Sequence, residues 1–407
     1  MEIVKTEEQN NTPLPEQLNN DSKKEHNEII DAAINRLETN TFKIYYYCPS
    51  MNIPSGGIGV IFKQAKTLKD AGYEVVVLFE PRVDPKASHA ESVKRNKRIE
   101  VYEKFNPTWI GADLEGITLK CLGDGTIKYN DNSSEKCDKI MMNPDDFIII
   151  PEGFPNVMEK FAQIPCKKIV FAQSWYYILN SLSVNQNWHM YGIKDVISIS
   201  DGITEYLNAI MPGLRIQQYS QSIDRALFKR KHYTEKFPKI AFMPGRSQDA
   251  ILKTFNVIKT FYSFYPQYRW VRFDELKNLS KEEFAERLGE SALALYTDEI
   301  AGFGTMPLEA MSLGTHVIGW TPLGGKEYMH QGNGFWAHNG DIFQLAELMG
   351  IAMEKYLNGE MDEEAIFEEY DKTLDRYTPE KEKESILNIY KQYIHERISE
   401  FQQLKQQ

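Results

Sequence analysis

The sequence predicts an α/β protein built from two doubly wound parallel sheets. Three observations lead to this prediction. Strands of the fully buried type, such as FKIYYYC at 42–48, alternate with amphipathic helices, and glycine turns follow several of these strands. The alternation runs through the chain twice, up to about residue 230 and again from residue 239. A strand–helix–strand unit forms a parallel sheet that is covered by helices, so each of the two series of strands and helices predicts one domain.

The overall composition fits two large cores and argues against some functions. The chain has 407 residues, of which 42% are hydrophobic, and its net charge is −11 at pH 7. A nucleic-acid-binding protein would carry a basic excess, so no nucleic-acid partner is expected. Four widely spaced cysteines lack zinc-ligand spacing, which predicts reduced thiols and no bound metal. Without a signal-peptide core or a membrane-length apolar run, we expect a cytoplasmic protein, with a peripheral contact at the inner face of the membrane left open.

The N-terminal extension, residues 1–41, is predicted to be disordered at first and then helical. The helix is expected over 22–38, because Ser22 and Glu25 form a capping-box pattern ahead of an apolar stripe. This helix precedes the first strand, so it is a candidate contact with a partner or with a second copy of the chain.

The first domain is predicted over residues 42–230. A strand, a glycine loop and a helix ended by Gly72 follow one another, and EVVVLFE is the next strand. A hairpin insertion is expected at 99–130 around LGDGT. Three further buried-type strands lie in DDFIIIPEG, KKIVFAQS and DVISIS.

The second domain is predicted over residues 231–378. Its strands lie in KIAFMPGR, YRWVRFD, ALALYTD and THVIGW, and two of its helices in AILKTFNVIKTFYSFY and SKEEFAERLGES. A final helix occupies 379–407, with Thr378 as its cap and Pro379 in its first turn.

Two such domains in tandem enclose a cleft at the carboxyl ends of their strands, where doubly wound sheets bind ligands. In the first domain, Gly56 and Gly57 lie between a strand and a helix, so their backbone can approach an anion; a tight turn without a ligand is an equal alternative. In the second domain, Arg246 and Lys253 follow the strand that ends in MPG. We predict that they hold a diphosphate, Arg246 as a fork and Lys253 as a point charge, although Lys253 alone is also typical of a solvated helix surface.

The stretch AGFGTMPLEAM carries a third glycine loop. Gly302 and Gly304 form a turn, and a helix is expected to begin near Met306, so that the amides of Thr305 and Met306 face a phosphate. Glu309 follows in the first turns of this helix, where a carboxylate can accept hydrogen bonds from ribose hydroxyls. The alternative, a glutamate that only stabilises the helix dipole, leaves the glycine turn unexplained.

Two further groups of side chains follow strand ends in the first domain. Glu152 ends a buried strand and faces the expected cleft, where it can contact a substrate; an acid that caps a helix is the slightly favoured alternative. Trp175, Tyr176 and Tyr177 follow another strand and can stack on a sugar, but packing in the core is the favoured interpretation. His316 is expected to be a packed residue and not a catalyst.

Residues 299–336, EIAGFGTMPLEAMSLGTHVIGWTPLGGKEYMHQGNGFW, resemble the donor-site signature of the GT-B glycosyltransferases, specifically the retaining family 4 group. Other parts of the chain resemble the same family in the same order: GGIGVIFKQAKTLKDAGYEV its first loop and helix, ISISDGITEYL its strand–helix step, QSIDRALF its Asn-Gly-Val-Asp segment, and MPGRSQDAILK its arginine–lysine loop. The resemblance covers most of residues 42–400 and is strongest over 300–336.

The resemblance implies the GT-B architecture, in which two Rossmann-like domains face each other across a cleft and the C-terminal helix crosses back to the first domain. It implies transfer of a sugar from a nucleotide-diphosphate donor to a glycan, lipid-linked or protein acceptor, with retention and without a metal or other cofactor. Helix amides, arginine and lysine would then stabilise the charge of the departing diphosphate. The predicted catalytic residues are Arg246, Lys253 and Glu152. The predicted donor-binding residues are Gly56, Gly57, Arg246, Lys253, Gly302, Gly304, Thr305, Met306 and Glu309.

The sequence departs from the family pattern in four places. Ala301 stands where the family has an acid eight residues before Glu309, and Gln173 stands where it has a histidine. The spacing from Arg246 to Lys253 is slightly long, and GGKE is one residue short. The missing acid and histidine motivate one alternative, a non-catalytic GT-B protein that binds an acceptor or partner. Another alternative is a GT-B-type sugar-nucleotide epimerase, whose elimination chemistry needs acids and a histidine that no motif in the sequence assigns.

Overall fold

The computed structural model of the chain describes residues 15–123, 125–137, 139–245 and 247–406, with side chains from residue 23 onward. Arg246, a predicted catalytic and donor-binding residue, lies outside the described residues. Within these ranges the chain forms two α/β domains, each built on a parallel sheet.

The first domain holds one large sheet and two small antiparallel pairs. Its strands are β1 (Lys43–Tyr47), β2 (Glu74–Phe79), β3 (Arg82–Val83), β4 (Tyr102–Glu103), β5 (Thr118–Cys121), β6 (Gly125–Lys128), β7 (Ser134–Cys137), β8 (Phe147–Pro151), β9 (Lys167–Ala172), β10 (Asp195–Ser198) and β11 (Arg215–Gln218). Among the described residues, seven of them form a parallel sheet in the order β11-β10-β9-β8-β1-β2-β5. The strand order reverses between β8 and β1, which marks a ligand-binding crevice at their carboxyl ends.

The second domain repeats this arrangement on a smaller scale. Its strands are β12 (Phe237–Phe242), β13 (Arg272–Glu275), β14 (Ser291–Tyr296), β15 (His316–Thr321) and β16 (Phe335–His338). They pair in parallel in the order β13-β12-β14-β15-β16. Here the order reverses between β12 and β14.

Helices connect the strands of both sheets. They are α1 (Pro15–Glu38), α2 (Gly56–Asp70), α3 (Pro85–Arg95), α4 (Pro155–Phe161), α5 (Trp175–Asn180), α6 (Asp201–Ile210), α7 (Gln248–Phe264), α8 (Lys281–Gly289), α9 (Thr305–Ser312), α10 (Ile342–Leu357), α11 (Glu363–Leu374) and α12 (Pro379–Gln406). Short 3₁₀ turns occur at Thr108–Leu114, Trp188–Tyr191, Tyr233–Glu235, Pro266–Tyr268 and Lys326–Tyr328. No helix within the described ranges is both long enough and apolar enough to cross a lipid bilayer.

The central strands are apolar on both faces because helices cover the sheets. Every residue of β8 and of β14 is buried, which agrees with the apolar runs FIIIP and SALALY. These buried strands carry the loops of the candidate site at their carboxyl ends, so the site rests on the most rigid part of each domain.

The last helix, α12, lies on the first domain. The Tyr390 hydroxyl donates to the Tyr46 hydroxyl at 3.1 Å, and the Tyr393 hydroxyl donates to the Val196 carbonyl at 3.2 Å. Both rings are fully buried. The chain therefore returns to the domain in which it began, and the two domains are linked at two places.

The structure corrects two expectations for the first half of the chain. Helix α1 begins at Pro15, so Ser22 lies inside the helix and is not its cap, and the segment from Pro15 is not disordered as expected; residues 1–14 lie outside the described residues. The insertion expected at 99–130 is only in part a separate hairpin. Strands β6 and β7 form the hairpin, but β5 extends the main sheet beside β2.

Candidate functional site

Loops from three adjacent strands of the first sheet meet at its carboxyl edge. Gly57 follows β1, Glu152 follows β8 and Gln173 follows β9. The backbone N–H of Gln173 donates to Glu152 Oε2 at 3.1 Å. The Gln173 side chain lies against Gly57, where a Cβ would be 3.3 Å from Gln173 Oε1, whereas Gly56 borders open space. The fold thus brings Gly57 and Glu152 together, with Gln173 between them.

Glu152 is a buried carboxylate with few polar partners. It is 4% exposed, and burial raises its pKa to about 7, against the opposing effect of backbone N–H groups of Gln173 and Ser174. These amides belong to the loop that leads into α5, so the carboxylate stabilises this loop. Because both amides precede the first residue of the helix, the capping alternative stays a prediction. Its carboxylate is buried beside the glycine loop, at the edge of the sheet where the strand order reverses.

Glu152→Gln is expected to make the protein more stable at high pH. The folded-state pKa lies above the ordinary value of 4.5, so the folded protein binds this proton more tightly than the unfolded chain. The free energy of unfolding therefore falls as the pH rises from about 4.5 to about 7. Glutamine copies the protonated form and removes this loss, which is on the order of 3 kcal/mol.

Melting temperatures at pH 5 and pH 8 measure this effect. We expect the variant to match the wild type at pH 5 and to melt higher at pH 8. Glu347→Gln, which removes an exposed carboxylate from α10, serves as the control. An equal difference in melting temperature at both pH values would show that Glu152 does not titrate as its burial requires.

The third glycine loop leads into α9, which begins at Thr305, one residue before the predicted start. Gly304 is the N-cap and has φ 78°, a left-handed conformation in which a Cβ would also overlap the Tyr296 hydroxyl. The Tyr328 hydroxyl donates to the carbonyls of Phe303 and Gly304. The loop is therefore rigid, and the N–H groups of the first turn have no partner within the helix.

Side chains of this first turn have different surroundings. The Met306 side chain is 5% exposed and packs in the core, so only its backbone can face a ligand. Thr305 hydrogen-bonds Glu309 through its side chain. The glutamate is thus fixed on the same face of the helix as the turn that precedes it.

Glu309 lines a cavity of about 350 Å³ between the two domains. Lys63 and Asp224 lie on the first-domain side of this cavity, and Lys281 and Asn278 on the second-domain side. Burial raises the pKa of Glu309 to about 7, while the Thr305 hydrogen bond and the charge of Lys281 oppose the shift. A partly buried carboxylate and two lysines on the walls of one cavity can hold the hydroxyls and the charge of a nucleotide. Of the two lysines, Lys63 is paired with Glu382 and donates to Ser222 Oγ at 2.9 Å. No motif pointed to Lys63 or Lys281, since isolated lysines on helices carry no sequence signal.

Lys253 forms ion pairs with two acidic residues of its own domain. Its Nζ lies 2.7 Å from Glu299 Oε2 and 3.4 Å from Asp249 Oδ2, and it does not line the cavity. The hydrogen bond with Glu299 raises the pKa of Lys253. Glu299 is anchored in turn, because Asn339 donates to its carbonyl at 3.4 Å. The structure therefore places Lys253 near the start of α7, as predicted, but paired within its own domain.

At Gly302 the backbones of the two domains lie in close contact. A Cβ there would overlap the Gln173 carbonyl oxygen, and Ser200 Oγ donates to the Gly302 carbonyl at 2.8 Å. A similar contact occurs at Gly202, whose Cβ would overlap the Leu323 carbonyl. Sequence reasoning assigned Gly302 to the donor. It did not anticipate this interdomain contact, for which the glycine is also required.

A second cavity, of about 340 Å³, borders the third glycine loop at Phe303. Glu327 of the GGKE segment lines it, with Oε2 buried and unpaired among the described residues. Burial raises the pKa of Glu327. Within the described ranges, no three His, Cys, Asp or Glu side chains are arranged to hold a metal ion.

No protein-family model matches the chain. A curated relative, an α-1,6-glucosyltransferase of Actinobacillus pleuropneumoniae serotype 7 (strain AP76), is 24% identical over 313 residues, which are 66% of this chain and 88% of the relative. Among solved structures, a glycosyltransferase from Rickettsia africae ESF-5 has a TM-score of 0.55 at 14% identity, covering 86% of this chain and 98% of that one. Alr3699/HepE of Anabaena, solved with UDP and glucose, has a TM-score of 0.57 at 14% identity, covering 86% and 100%.

These comparisons confirm the predicted GT-B fold and the predicted class of protein. The solved structures establish the fold, with its two Rossmann-like domains, and the sequence relative indicates the class of activity. The chain is a glycosyltransferase of the GT-B fold. The features specific to family 4, retention and independence of metal among them, stay predictions.

Proposed function

We propose that the protein transfers a glucosyl group from UDP-glucose to a sugar-containing acceptor, with retention at the anomeric carbon and without a metal ion. The observation that carries this proposal is the interdomain cavity in which Glu309 lies beside the start of α9. The choice of glucose follows the name of the α-1,6-glucosyltransferase relative, and the choice of uridine follows HepE, which was solved with UDP and glucose.

The predicted charged residues and the first turn of α9 have the following roles in this proposal. Glu309 accepts hydrogen bonds from the ribose hydroxyls, and the amides of Thr305 and Met306 meet the diphosphate at the positive end of α9. Arg246 and Lys253 neutralise the diphosphate. Lys253 must exchange Glu299 for a phosphate oxygen to do so, which an exposed ion pair allows at little cost.

The reaction breaks the bond between the anomeric carbon and the diphosphate oxygen and forms a bond from that carbon to the acceptor oxygen. The acceptor hydroxyl loses its proton, which leaves with the diphosphate. Negative charge grows on the diphosphate in the transition state, where fixed amides and cations stabilise it without reorganisation. In this proposal Glu152, which lies next to Gly57 at the opposite wall, contacts the acceptor hydroxyl or the donor sugar.

We further propose that the enzyme acts in the cytoplasm, where buried free thiols such as Cys48 and Cys166 stay reduced. A glycan, a lipid-linked sugar or a glycosylated protein at the inner face of the membrane would serve as the acceptor. The N-terminal helix α1 packs against α12 and offers its outer face, with Ile29 exposed, for contact with a second copy.

Turnover of a panel of UDP-, GDP- and dTDP-sugars tests the function, with EDTA present in a parallel set. We expect UDP release from UDP-glucose with and without EDTA, and an α-linked product by NMR. Calorimetry with UDP and GDP separates the non-catalytic alternative, which Ala301 motivates, because that protein would bind neither nucleotide. Absence of turnover and of nucleotide binding with every donor would overturn the proposal, and a 2-epimerised sugar nucleotide formed without acceptor would replace it by the epimerase.

A further inference from the structure

Two exposed tyrosines lie next to the candidate site on the first domain. Helix α5 begins directly after the Gln173–Ser174 loop, and Ser174 Cα would be 3.2 Å from a Cβ at Gly302. On the other side, Tyr177 lies over Gly153, where a Cβ would be 3.8 Å from the Tyr177 Cβ. The start of α5 is therefore bounded by Glu152 and its loop on one side and by the second domain on the other.

The rings of Tyr176 and Tyr177 are not part of the core, contrary to the interpretation favoured by the sequence. They are 40% and 45% exposed. Neither hydroxyl has a hydrogen-bond partner among the residues that the structure describes. Exposed aromatic rings whose hydroxyls have no protein partner are typical of binding surfaces where one part of a ligand is apolar and another polar.

The two rings are held in place by other aromatic rings. Tyr176 and Tyr177 meet edge-to-face, with centroids 5.4 Å apart and an interplanar angle of 77°. Trp175 contacts Tyr176 at 6.1 Å and Tyr206 of α6 at 6.0 Å, both edge-to-face. Such contacts stabilise ring orientation by about 0.5–1.5 kcal/mol per pair. The tyrosines therefore present a largely preformed surface, which lowers the entropy cost of binding.

We propose that Tyr176 and Tyr177 form an acceptor subsite that binds a pyranose ring of the acceptor. This inference rests on the glycosyl transfer proposed above. A pyranose has a face of C–H groups that packs on an aromatic face and a rim of hydroxyls that bonds phenol oxygens. The nucleotide half of the donor is assigned to the Glu309 cavity, so the group bound at α5 comes from the acceptor. A lipid chain fits less well, because the patch is two rings wide and carries two unpaired hydroxyls.

Kinetics with UDP-glucose and three acceptors tests the subsite: methyl α-glucopyranoside, isomaltotriose and glycerol, which has no ring. In Tyr177→Ala, and more so in the Tyr176→Ala/Tyr177→Ala double variant, we expect KM for the two ring acceptors to rise about tenfold. KM for UDP-glucose should change less than twofold, and transfer to glycerol should fall less than transfer to the ring acceptors. Tyr177→Phe keeps the ring and should stay within about threefold of wild type.

A direct binding measurement keeps the inference separate from the activity. Saturation-transfer NMR of isomaltotriose with the full chain needs no turnover, and its signal should weaken in the double variant. Trp270→Ala removes an aromatic side chain that is 54% exposed on the second domain and is the matched control. If ring acceptors bind and react equally with wild type and double variant, the subsite is wrong. If isomaltotriose binds through the tyrosines but no nucleotide sugar turns over, the proposed function fails and the sugar subsite stands.

Discussion

Glu309→Gln is expected to weaken UDP binding about 10- to 100-fold and to lower kcat/KM for the donor by a similar factor. In the proposed function the wild-type carboxylate accepts hydrogen bonds from two ribose hydroxyls, and a hydrogen bond to a charged group contributes about 1.5–3 kcal/mol. Glutamine keeps the shape but has one acceptor oxygen and an amide that opposes the second donor. Calorimetric titration with UDP measures the change.

A double-mutant cycle isolates the ribose contact. Wild type and Glu309→Gln are each titrated with UDP and with its 2′,3′-dideoxy analogue, which lacks both hydroxyls. We expect the analogue to bind the wild type as weakly as UDP binds the variant, with little further loss when both changes are combined. Fully additive losses would place Glu309 away from the ribose. Burial raises the pKa of Glu309 to about 7, so removing its charge should not lower the melting temperature at pH 8. The melting temperature of the variant at pH 8 therefore serves as the control for folding.

The sequence predicted the fold well where a local pattern reports burial. The run DDFIIIPEG became a fully buried central strand, and the glycine turn before Glu309 led into a helix within one residue of the expected start. Both patterns are local consequences of the parallel sheet: a two-sided apolar strand and an N-terminal turn that requires positive φ. The capping-box pattern at Ser22 failed, because Ser and Glu three residues apart also occur inside helices, and only the chain before them decides where the helix begins.

The sequence indicated where the candidate site lies better than it indicated which contacts the side chains of the site make. Glu309 lies in the interdomain cavity, as the helix start implied. The pairing of Lys253 with Glu299 was not predictable, because the direction of a long side chain depends on rotamers and on acids contributed by a distant loop. For the same reason nothing in the sequence showed that Tyr176 and Tyr177 are exposed while Tyr45 and Tyr46 are buried. Both pairs belong to short runs of consecutive aromatic residues, and only the packing of neighbouring helices makes one pair buried and the other exposed.

Gly302→Ala is expected to lower kcat/KM about 100-fold, because it separates the two domains where the reaction must take place. A Cβ at this position would overlap the backbone carbonyl of Gln173, which cannot move away as a side chain can. The loop or the domain must shift instead, which displaces α9 from the wall that carries Glu152. A misplacement of about 1 Å between catalytic groups costs on the order of 100-fold in rate. Steady-state kinetics gives the loss, and small-angle X-ray scattering reports the expected increase in radius of gyration.

Gly59→Ala is the matched control for this substitution, since it adds the same methyl group to a helix in the same protein. Gly59 lies inside α2, and its Cβ would meet no atom within 4 Å. Alanine there should leave the scattering curve unchanged and stabilise the helix by up to about 1 kcal/mol. The two variants thus separate the effect of a lost glycine from the effect of a blocked contact. Full activity in Gly302→Ala, with unchanged scattering, would mean that the contact between Gly302 and Gln173 does not belong to the active arrangement of the domains.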